Sequence, residues 1–199
     1  QTNVDFKEQE QLYLDNTRNI TWNPNSPNDL SPAYWDNPYW ARYQNYETDQ
    51  RNRVLGYAKL DWEINDHFSL MGRFGWDTYS YLIEDRKAVG SASGEFGVTR
   101  PDVTSGYSRR DVKFTETNAD FMARYNQAWE SLSLNVLLGT NIRRTSTDDV
   151  FSSTQGGLIV PGLYSLGNSI DAQAPPVEAY ETIGVNGYFA SASLGILNQ

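Results

Sequence analysis

The side chains that could do chemistry in this 199-residue chain are mainly carboxylates and aromatic rings. The chain has no cysteine, and its single histidine, His67, falls in a predicted tight turn. These counts exclude thiol catalysis, disulfide bonds and a histidine-rich metal site. We find no Ser-His-Asp pattern and no phosphate-binding loop. The sequence therefore predicts no catalytic residue, no metal site and no cofactor.

Aromatic residues in predicted outer loops are the best candidates for contact with a ligand. Flat rings stack on sugar faces or pack against peptides, and neighbouring carboxamides can hydrogen-bond to hydroxyl groups. A structural alternative is open for part of this group, because Pro38, Tyr39 and Trp40 would also serve to brace a loop against the rim of a sheet. The ligand-binding candidates are Tyr34, Trp35, Tyr39, Trp40 and Tyr107.

Composition and charge limit the class of protein. The net charge is −9 and the sequence pI is about 4.6, which argues against a nucleic-acid partner, because binding to phosphates needs clustered Lys and Arg. Hydrophobic residues make up 39 %, while 13 Tyr, 8 Phe and 6 Trp make the chain rich in aromatics. This balance is typical of an antiparallel sheet with one polar face.

Hydrophobic residues alternate with polar residues over five stretches from Arg53 onward. Between Arg53 and Ile64 the even positions are apolar or small, and most odd positions are charged. The same period of two returns in later stretches and indicates strands. These later stretches are approximately 68–76, 112–126, 132–142 and 183–196.

Charged side chains recur on the polar face of these predicted strands. We expect them to pair across strands, to contact a plug, or to line the path of a solute. The predicted lumen-lining residues are Lys59, Asp61, Arg73, Asp77, Asp120 and Arg124.

The connections between strands alternate in length. Short turns are predicted near 65–67 and 127–131, and long loops at about 84–111 and 144–182. Outer-membrane barrels alternate in the same way, with short periplasmic turns and long extracellular loops. We therefore predict an all-β fold, an antiparallel transmembrane β-barrel segment of about five strands at 53–199. Residues 1–52 are rich in proline and read as an extracellular loop, with a strand remnant near Leu12 to Leu14.

Several ordered strings in residues 30–199 resemble one family of barrels. Asp36-Asn37-Pro38-Tyr39-Trp40, followed by the stretch 49–56 with its Arg-Asn-Arg motif, resembles the descent of an outer loop into a strand in SusC-like, TonB-dependent outer-membrane transporters. The stretches 68–75, 118–121, 137–144, 156–166 and 187–195 are similar to later strands and loops of that family. Each string is short, and the resemblance rests on their order.

The resemblance implies a function without enzyme chemistry. It implies active import of oligosaccharides or oligopeptides across the outer membrane of a Bacteroidetes-type bacterium. A SusD-like surface lipoprotein would cover the solute, a TonB complex would supply energy, and the wall would contact lipid and lipopolysaccharide. No plug domain or Ton box is recognisable in these residues. Because importer barrels have about 22 strands, we expect the chain to be part of a larger barrel.

Three other classes of protein remain open at this level. One is a glycosidase fragment, which would need two carboxylates placed on facing elements. A passive outer-membrane porin would show the same alternation of strands without a plug. A soluble extracellular all-β module that binds carbohydrate would use its aromatic residues as cross-strand pairs.

Overall fold

A computed structural model describes residues 4–92 and 104–196 of the chain. Its first elements are helix α1, a short hairpin and helix α2, followed by long strands. The helices are α1 (Phe6–Asn16) and α2 (Pro38–Gln44), and a 3-10 turn covers Leu166–Asn168. The strands are β1 (Pro24–Ser26), β2 (Asp29–Pro32), β3 (Tyr46–Glu63), β4 (Phe68–Lys87), β5 (Gly106–Ala128), β6 (Leu132–Ser153), β7 (Gln155–Leu158), β8 (Ser169–Asp171) and β9 (Val177–Ile196).

The five long strands form one sheet in the order β3-β4-β5-β6-β9. The small strands form two antiparallel pairs, β1 with β2 and β7 with β8. The described residues are mostly antiparallel β-structure with few helices, and the predicted all-β class is confirmed. Strands β3 and β9 lie at the two ends of this sheet, which is not closed within the described residues.

Two tight connections join the long strands into hairpins. In the first, the Asn65 side chain accepts hydrogen bonds from the backbone N–H groups of His67 and Phe68, at 2.9 Å each. In the second, the Trp129 N–H donates to the Leu132 carbonyl at 2.7 Å. Asn is favoured in such turns because its side chain bonds to the backbone two residues on.

The long strands extend beyond the alternating sequence. Strand β4 reaches Lys87 and β5 begins at Gly106, while β6 reaches Ser153 and β9 begins at Val177. The connecting segments are therefore 88–105 and 154–176, shorter than the loops predicted at 84–111 and 144–182. Hydrogen bonding between strands involves only the backbone. The strands therefore continue into segments where both faces are polar and the sequence no longer alternates. Residues 93–103 of the first segment lie outside the described residues.

The expectation of a strand near Leu12 to Leu14 is wrong, because both residues lie in α1. The Asp5 side chain caps this helix by accepting hydrogen bonds from the N–H groups of Lys7 and Glu8. An Asp cap and a following run of Lys, Glu, Gln and Leu favour a helix over a strand. The helix ends at Asn16, and the capping residue Thr17 has a left-handed backbone and an N–H that donates to the Tyr13 carbonyl.

The chain divides into two compact units. Gln1–Gln50, Leu82–Asp111 and Val150–Glu178 form the first, here called the loop unit. Arg51–Tyr81, Val112–Asp149 and Ala179–Gln199 form the second, here called the strand unit. Among the described residues, no helix has the length and apolar character needed to cross a membrane.

Candidate functional site: aromatic residues of the loop unit and the two faces of the strand unit

The Asp36-Asn37-Pro38-Tyr39-Trp40 string forms the centre of the loop unit. Asn37 is fully buried, and its side-chain oxygen caps α2 by accepting hydrogen bonds from the N–H groups of Tyr39 and Trp40. Its side-chain nitrogen donates to the carbonyls of Gln9 and Ile20, at 2.8 Å each. One carboxamide therefore connects α1, the following segment and α2.

Asp36 extends this polar network toward the segment after β4. Its carboxylate accepts hydrogen bonds from the side chains of Asn19 and Asn45 and from the Ala92 N–H. Asn45 in turn donates to Ser91 and accepts from the Ala88 N–H at 2.8 Å. Since buried polar groups are stable only when hydrogen-bonded, these contacts fix the geometry of the segment.

The five aromatic candidates fall into two groups by exposure. Trp40 and Tyr107 are buried and Tyr39 is half-buried, which fits the bracing role that the sequence left open. Tyr34 and Trp35 are exposed, with Tyr34 at 71 %. The prediction that these residues bind a ligand stays a prediction, and the exposed pair is the part of the set that a ligand can reach directly.

Asn23 holds the exposed pair in place. Its buried side-chain oxygen accepts hydrogen bonds from the N–H groups of Tyr34 and Trp35, at 2.8 and 3.0 Å, and its nitrogen donates to the Trp35 carbonyl. Trp22, which precedes Asn23, is also exposed at 42 %. Sequence reasoning missed Trp22, because only the register of the β1–β2 hairpin, with Pro24 opposite Pro32, brings it to the same end as Tyr34.

Tyr107 belongs to a second cluster in the loop unit, built around Arg86. The Tyr107 hydroxyl donates to the Glu84 carboxylate, and Arg86 also pairs with Glu84 at 3.0 Å. The Arg86 guanidinium lies 5.1 Å from the ring centre of Tyr46 and 5.9 Å from those of Tyr107 and Tyr164. Such cation–aromatic contacts join residues from four separate stretches of the chain.

Burial and contacts within this cluster shift the pKa values of two of its members, Tyr107 and Glu84. Burial, followed by the hydrogen bond to Glu84, raises the pKa of Tyr107 to about 12. The hydrogen bond from Tyr107, followed by that from Arg86, lowers the pKa of the Glu84 carboxyl. Around neutral pH the tyrosine is therefore a neutral donor and the carboxylate a charged acceptor, which is the pairing that the geometry requires.

The predicted lumen-lining residues of the strand unit lie on one face of the sheet, and most of them form ion pairs. Arg73 donates to Asp120 through both Nε and Nη2, at 2.7 and 2.6 Å, and Asn141 donates to the same carboxylate at 2.6 Å. The Asp120 side chain is only 7 % exposed. The expected pairing across strands is present here.

The other predicted lumen-lining residues occupy more open positions on this face. Asp77 accepts from Arg53 of the neighbouring strand at 2.8 Å, and Lys59 pairs with Asp61 of its own strand at 2.8 Å. Arg124 lines a small cleft of about 180 Å³ together with Asp61 and Glu63. A role for these residues in lining a pore stays a prediction.

The opposite face of the strand unit is apolar and uncovered. Leu60, Trp62 and Phe74 are exposed at 71, 59 and 52 %. Gly72 lies on this face, because a Cβ there would meet the Phe121 ring at 3.9 Å. Within the described residues no second layer packs on this face, which differs from the interior of a soluble sandwich.

A resident metal ion has no evident ligands in the part of the chain that the structure describes. No group of three or more His, Asp or Glu side chains converges there.

No protein-family model and no curated protein matches the sequence. Solved structures do match the fold. A structure of the RagAB peptide transporter matches with a TM-score of 0.65 and 14 % identity, over 89 % of this chain and 19 % of that chain. The RagAB peptide importer in its open-open and closed-closed states gives TM-scores of 0.61 and 0.63 at 16 % identity. In both states the match covers 88 % of this chain and 20 % of that chain.

The chain thus spans about a fifth of the length of these solved chains. At such low identity the likeness concerns the fold. The likeness shows that the described residues share the fold of one part of these longer solved chains.

Proposed function

We propose that the chain forms part of the wall, rim and outer loops of a TonB-dependent outer-membrane importer of the SusC-like type. The observation that carries this proposal is the difference between the two faces of the strand unit. One face exposes large apolar side chains, and the other carries charges that neutralise one another in pairs.

The apolar face needs an apolar environment. Burying one large apolar side chain stabilises a protein by roughly 1.5–3 kcal/mol. If Leu60, Trp62 and Phe74 stayed in water, the protein would lose this stabilisation at each of the three positions. A lipid bilayer supplies the missing environment, and strands can cross it only when their backbone groups pair with neighbouring strands. This supports a membrane wall over a soluble carbohydrate-binding module.

The charged face suits a water-filled or plugged lumen. Asp120 is almost enclosed by Arg73 and Asn141, whereas Lys59, Asp61 and Arg124 are more open. Open charges can meet a plug or a passing solute, while enclosed pairs hold neighbouring strands in register. On this proposal Lys59, Asp61, Arg73, Asp77, Asp120 and Arg124 line the lumen.

The fold likeness supports import of solutes too large for passive pores. The matching solved chains belong to a peptide importer, and the sequence strings resemble a family that also imports oligosaccharides. On this proposal the transported solute is an oligopeptide or oligosaccharide, and a SusD-like lipoprotein covers the outer opening. The exposed Tyr34 and Trp35 would contact the solute or that lipoprotein.

An uptake assay tests this function on the full-length protein in its own host. Cells carrying the gene, and cells in which it is deleted, are given fluorescently labelled oligopeptide and oligosaccharide mixtures, with and without a protonophore. The proposal expects uptake that requires both the gene and the inner-membrane proton gradient. Gene-dependent uptake that is indifferent to the protonophore would instead identify a passive porin.

A fractionation control separates the remaining alternative. The full-length protein should sediment with outer membranes and need detergent for extraction. Recovery in the aqueous fraction without detergent would contradict the membrane proposal and favour a soluble module.

A further inference from the structure

Three side chains form a stack in the strand unit, one each from β3, β4 and β5. The Tyr79 ring stacks on the Phe114 ring, with ring centres 4.8 Å apart and planes inclined by 15°. The Arg51 guanidinium lies 3.8 Å from the centre of the Tyr79 ring. Both distances fall in the range where aromatic pairs and cation–aromatic pairs attract. Arg51, Tyr79 and Phe114 are called the stacked triad below.

The stacked triad lies on the charged face of the sheet. Residues two apart on a strand share a face, so Arg51 lies on the same face as Arg53, and Tyr79 on the same face as Asp77. Arg53 and Asp77 bond to each other across the two strands. Phe114 belongs to this face because its ring stacks on Tyr79. The triad therefore borders the lumen in the proposed arrangement.

The Arg51 guanidinium differs from two others on this face in what it contacts. The Arg53 guanidinium donates to both carboxylate oxygens of Asp77, and Arg73 donates to Asp120. Arg51 is exposed, and among the described residues no oxygen atom accepts a hydrogen bond from its guanidinium. A ring face holds the guanidinium in place without taking its N–H donors. Those donors are therefore available to another molecule.

The nearby carboxylates on this face already have partners. Both oxygens of Asp77 accept from Arg53, and Glu116 accepts from the Thr145 hydroxyl at 3.2 Å. The positive charge of Arg51 is consequently not paired with a carboxylate of the described residues. An exposed arginine normally loses side-chain entropy when it binds a ligand. The contact with Tyr79 restricts the side chain beforehand, which reduces that cost.

The triad lies at the ends of the strands that are far from the tight turns. Strand β3 enters the strand unit at Arg51, β4 leaves it after Tyr81, and β5 enters it at Val112. The two tight connections join the opposite ends of these strands. Short turns face the periplasm in outer-membrane barrels, so the triad lies toward the outer end of the lumen on the proposed function. An entering solute would meet it early.

We infer that Arg51 binds a carboxylate of the transported solute, and that Tyr79 and Phe114 position its guanidinium. The planar guanidinium presents paired N–H donors that match the two oxygens of a carboxylate. Two kinds of solute carry such a group: an oligopeptide with a free C-terminus and an oligosaccharide with uronic acid units. The inference rests on the proposed function, because import is what brings a solute to this face.

Binding of paired probes to the purified full-length protein in detergent tests the site. One pair is a library of labelled random octapeptides without Asp or Glu, prepared as free acids and as C-terminal amides. The other pair is labelled oligogalacturonates and their methyl esters. We expect the acids of one pair to bind about tenfold more tightly than the neutral forms, equivalent to about 1.4 kcal/mol. The pair that shows this preference identifies the source of the carboxylate.

Five substitutions separate the contact from its support. Arg51→Gln should abolish the preference for acids, and Arg51→Lys, which keeps the charge without the planar fork, should retain only part of it. Tyr79→Leu should lower the preference several-fold, whereas Tyr79→Phe keeps the ring and should behave like the parent. Lys113→Gln is the matched control, because it removes one exposed positive charge next to Phe114 but on the opposite face.

Arginine reactivity gives a check that needs no solute. Phenylglyoxal modifies accessible, unpaired guanidinium groups, so it should modify Arg51 faster than Arg53 in the full-length protein, as read by peptide mass spectrometry. Equal protection of the two residues would show that another group of the protein already occupies Arg51. That result would overturn the carboxylate site.

The outcomes separate this inference from the proposed function. Equal binding of acids and neutral forms by the parent, binding of neither, or a preference that survives Arg51→Gln would overturn the carboxylate site. Energy-dependent uptake, measured as above, would still stand in each of these cases. Absence of gene-dependent uptake would instead contradict the proposed importer, whatever the binding ratio.

Discussion

The loop unit and the strand unit are stabilised in opposite ways. In the loop unit the fully buried side chains are polar, and they include Gln9, Asn37 and Thr154. In the strand unit the large apolar residues lie outside, and Met71 is the one buried hydrophobic residue that the described part of this unit holds. The loop unit is therefore stabilised by hydrogen bonds from Asn37 and Thr154 to the backbone and by buried apolar side chains such as Trp40 and Leu158, whereas the strand unit relies on its surroundings.

This difference follows from the solvent that each unit is proposed to meet. A segment in water can keep irregular backbone if side-chain carboxamides satisfy its N–H and C=O groups, as Asn23, Asn37 and Asn45 do. A segment in lipid can keep no unpaired backbone, so it is a regular ladder whose apolar side chains face outward. Each of the following changes tests one side of this comparison.

The largest loss of stability is expected from Asn37→Ala, which changes the loop unit. The change removes the cap of α2 and leaves the carbonyls of Gln9 and Ile20 without their donor. A lost cap costs about 1 kcal/mol and each of the two buried orphans about 1–3 kcal/mol, so we expect roughly 3–7 kcal/mol of local destabilisation. Hydrogen exchange of the Tyr39 and Trp40 amides in the full-length protein measures it.

Asn25→Ala is the matched control. Asn25 is an exposed hairpin residue whose side chain bonds to Asp29 and Ser31, so its loss should leave the exchange of Tyr39 and Trp40 unchanged. Equal protection in the Asn37→Ala protein would show that this carboxamide does not hold the loop unit together.

The second largest loss of stability is expected from Asp120→Ala, on the charged face of the strand unit. Arg73 and Asn141 would lose a shared acceptor that is almost enclosed, and hydrogen bonds to charged groups contribute about 1.5–3 kcal/mol. We expect a loss of about 2 kcal/mol, read from the thermal unfolding of the detergent-solubilised protein. Asp61→Ala removes a more exposed pair, whose loss should leave the transition unchanged, as is usual for surface ion pairs.

The strand unit was the more predictable of the two from sequence. Alternation places Leu60 and Lys59 on opposite faces without any knowledge of tertiary structure, and the polar turn at Asn65 marks the hairpin. The loop unit depends on contacts between distant positions, such as Asn37 with Gln9 and Asp36 with Ala92. No periodicity encodes such contacts, so α1 and the split of the aromatic candidates into buried and exposed groups became visible only in the structure.

A smaller, pH-dependent effect should come from Tyr107. The pKa of Tyr107 is raised to about 12 in the folded state, whereas the unfolded value is about 10. The stability that its protonated hydroxyl contributes is therefore fully present below about pH 10 and is lost as the pH rises from about 10 to about 12. Tyr107→Phe should remove this dependence on pH. Hydrogen exchange of the loop unit, corrected for intrinsic rates, between pH 9 and 11 measures it. A slope that is unchanged in the variant would assign the dependence to another group.

The smallest effect on stability is expected at the exposed aromatic pair. Tyr34→Ala removes a ring that is 71 % exposed, so thermal unfolding should be unchanged, whereas Trp40→Ala removes a buried ring and should lower the transition. If Tyr34 contacts the solute, uptake should fall several-fold in Tyr34→Ala at unchanged surface abundance. Unaltered uptake would remove Tyr34 from the ligand-binding residues.

The central claim is that the apolar face of the strand unit meets lipid and the charged face meets the lumen. Single cysteines placed in turn along 68–77 of the full-length, membrane-embedded protein, each carrying a spin label, test it through collisions with oxygen and with a water-soluble nickel complex. We predict a period of two, with oxygen favoured at Leu70, Gly72 and Phe74 and nickel favoured at Arg73 and Asp77. Uniform access along the strand, or nickel favoured at Phe74, would contradict the account.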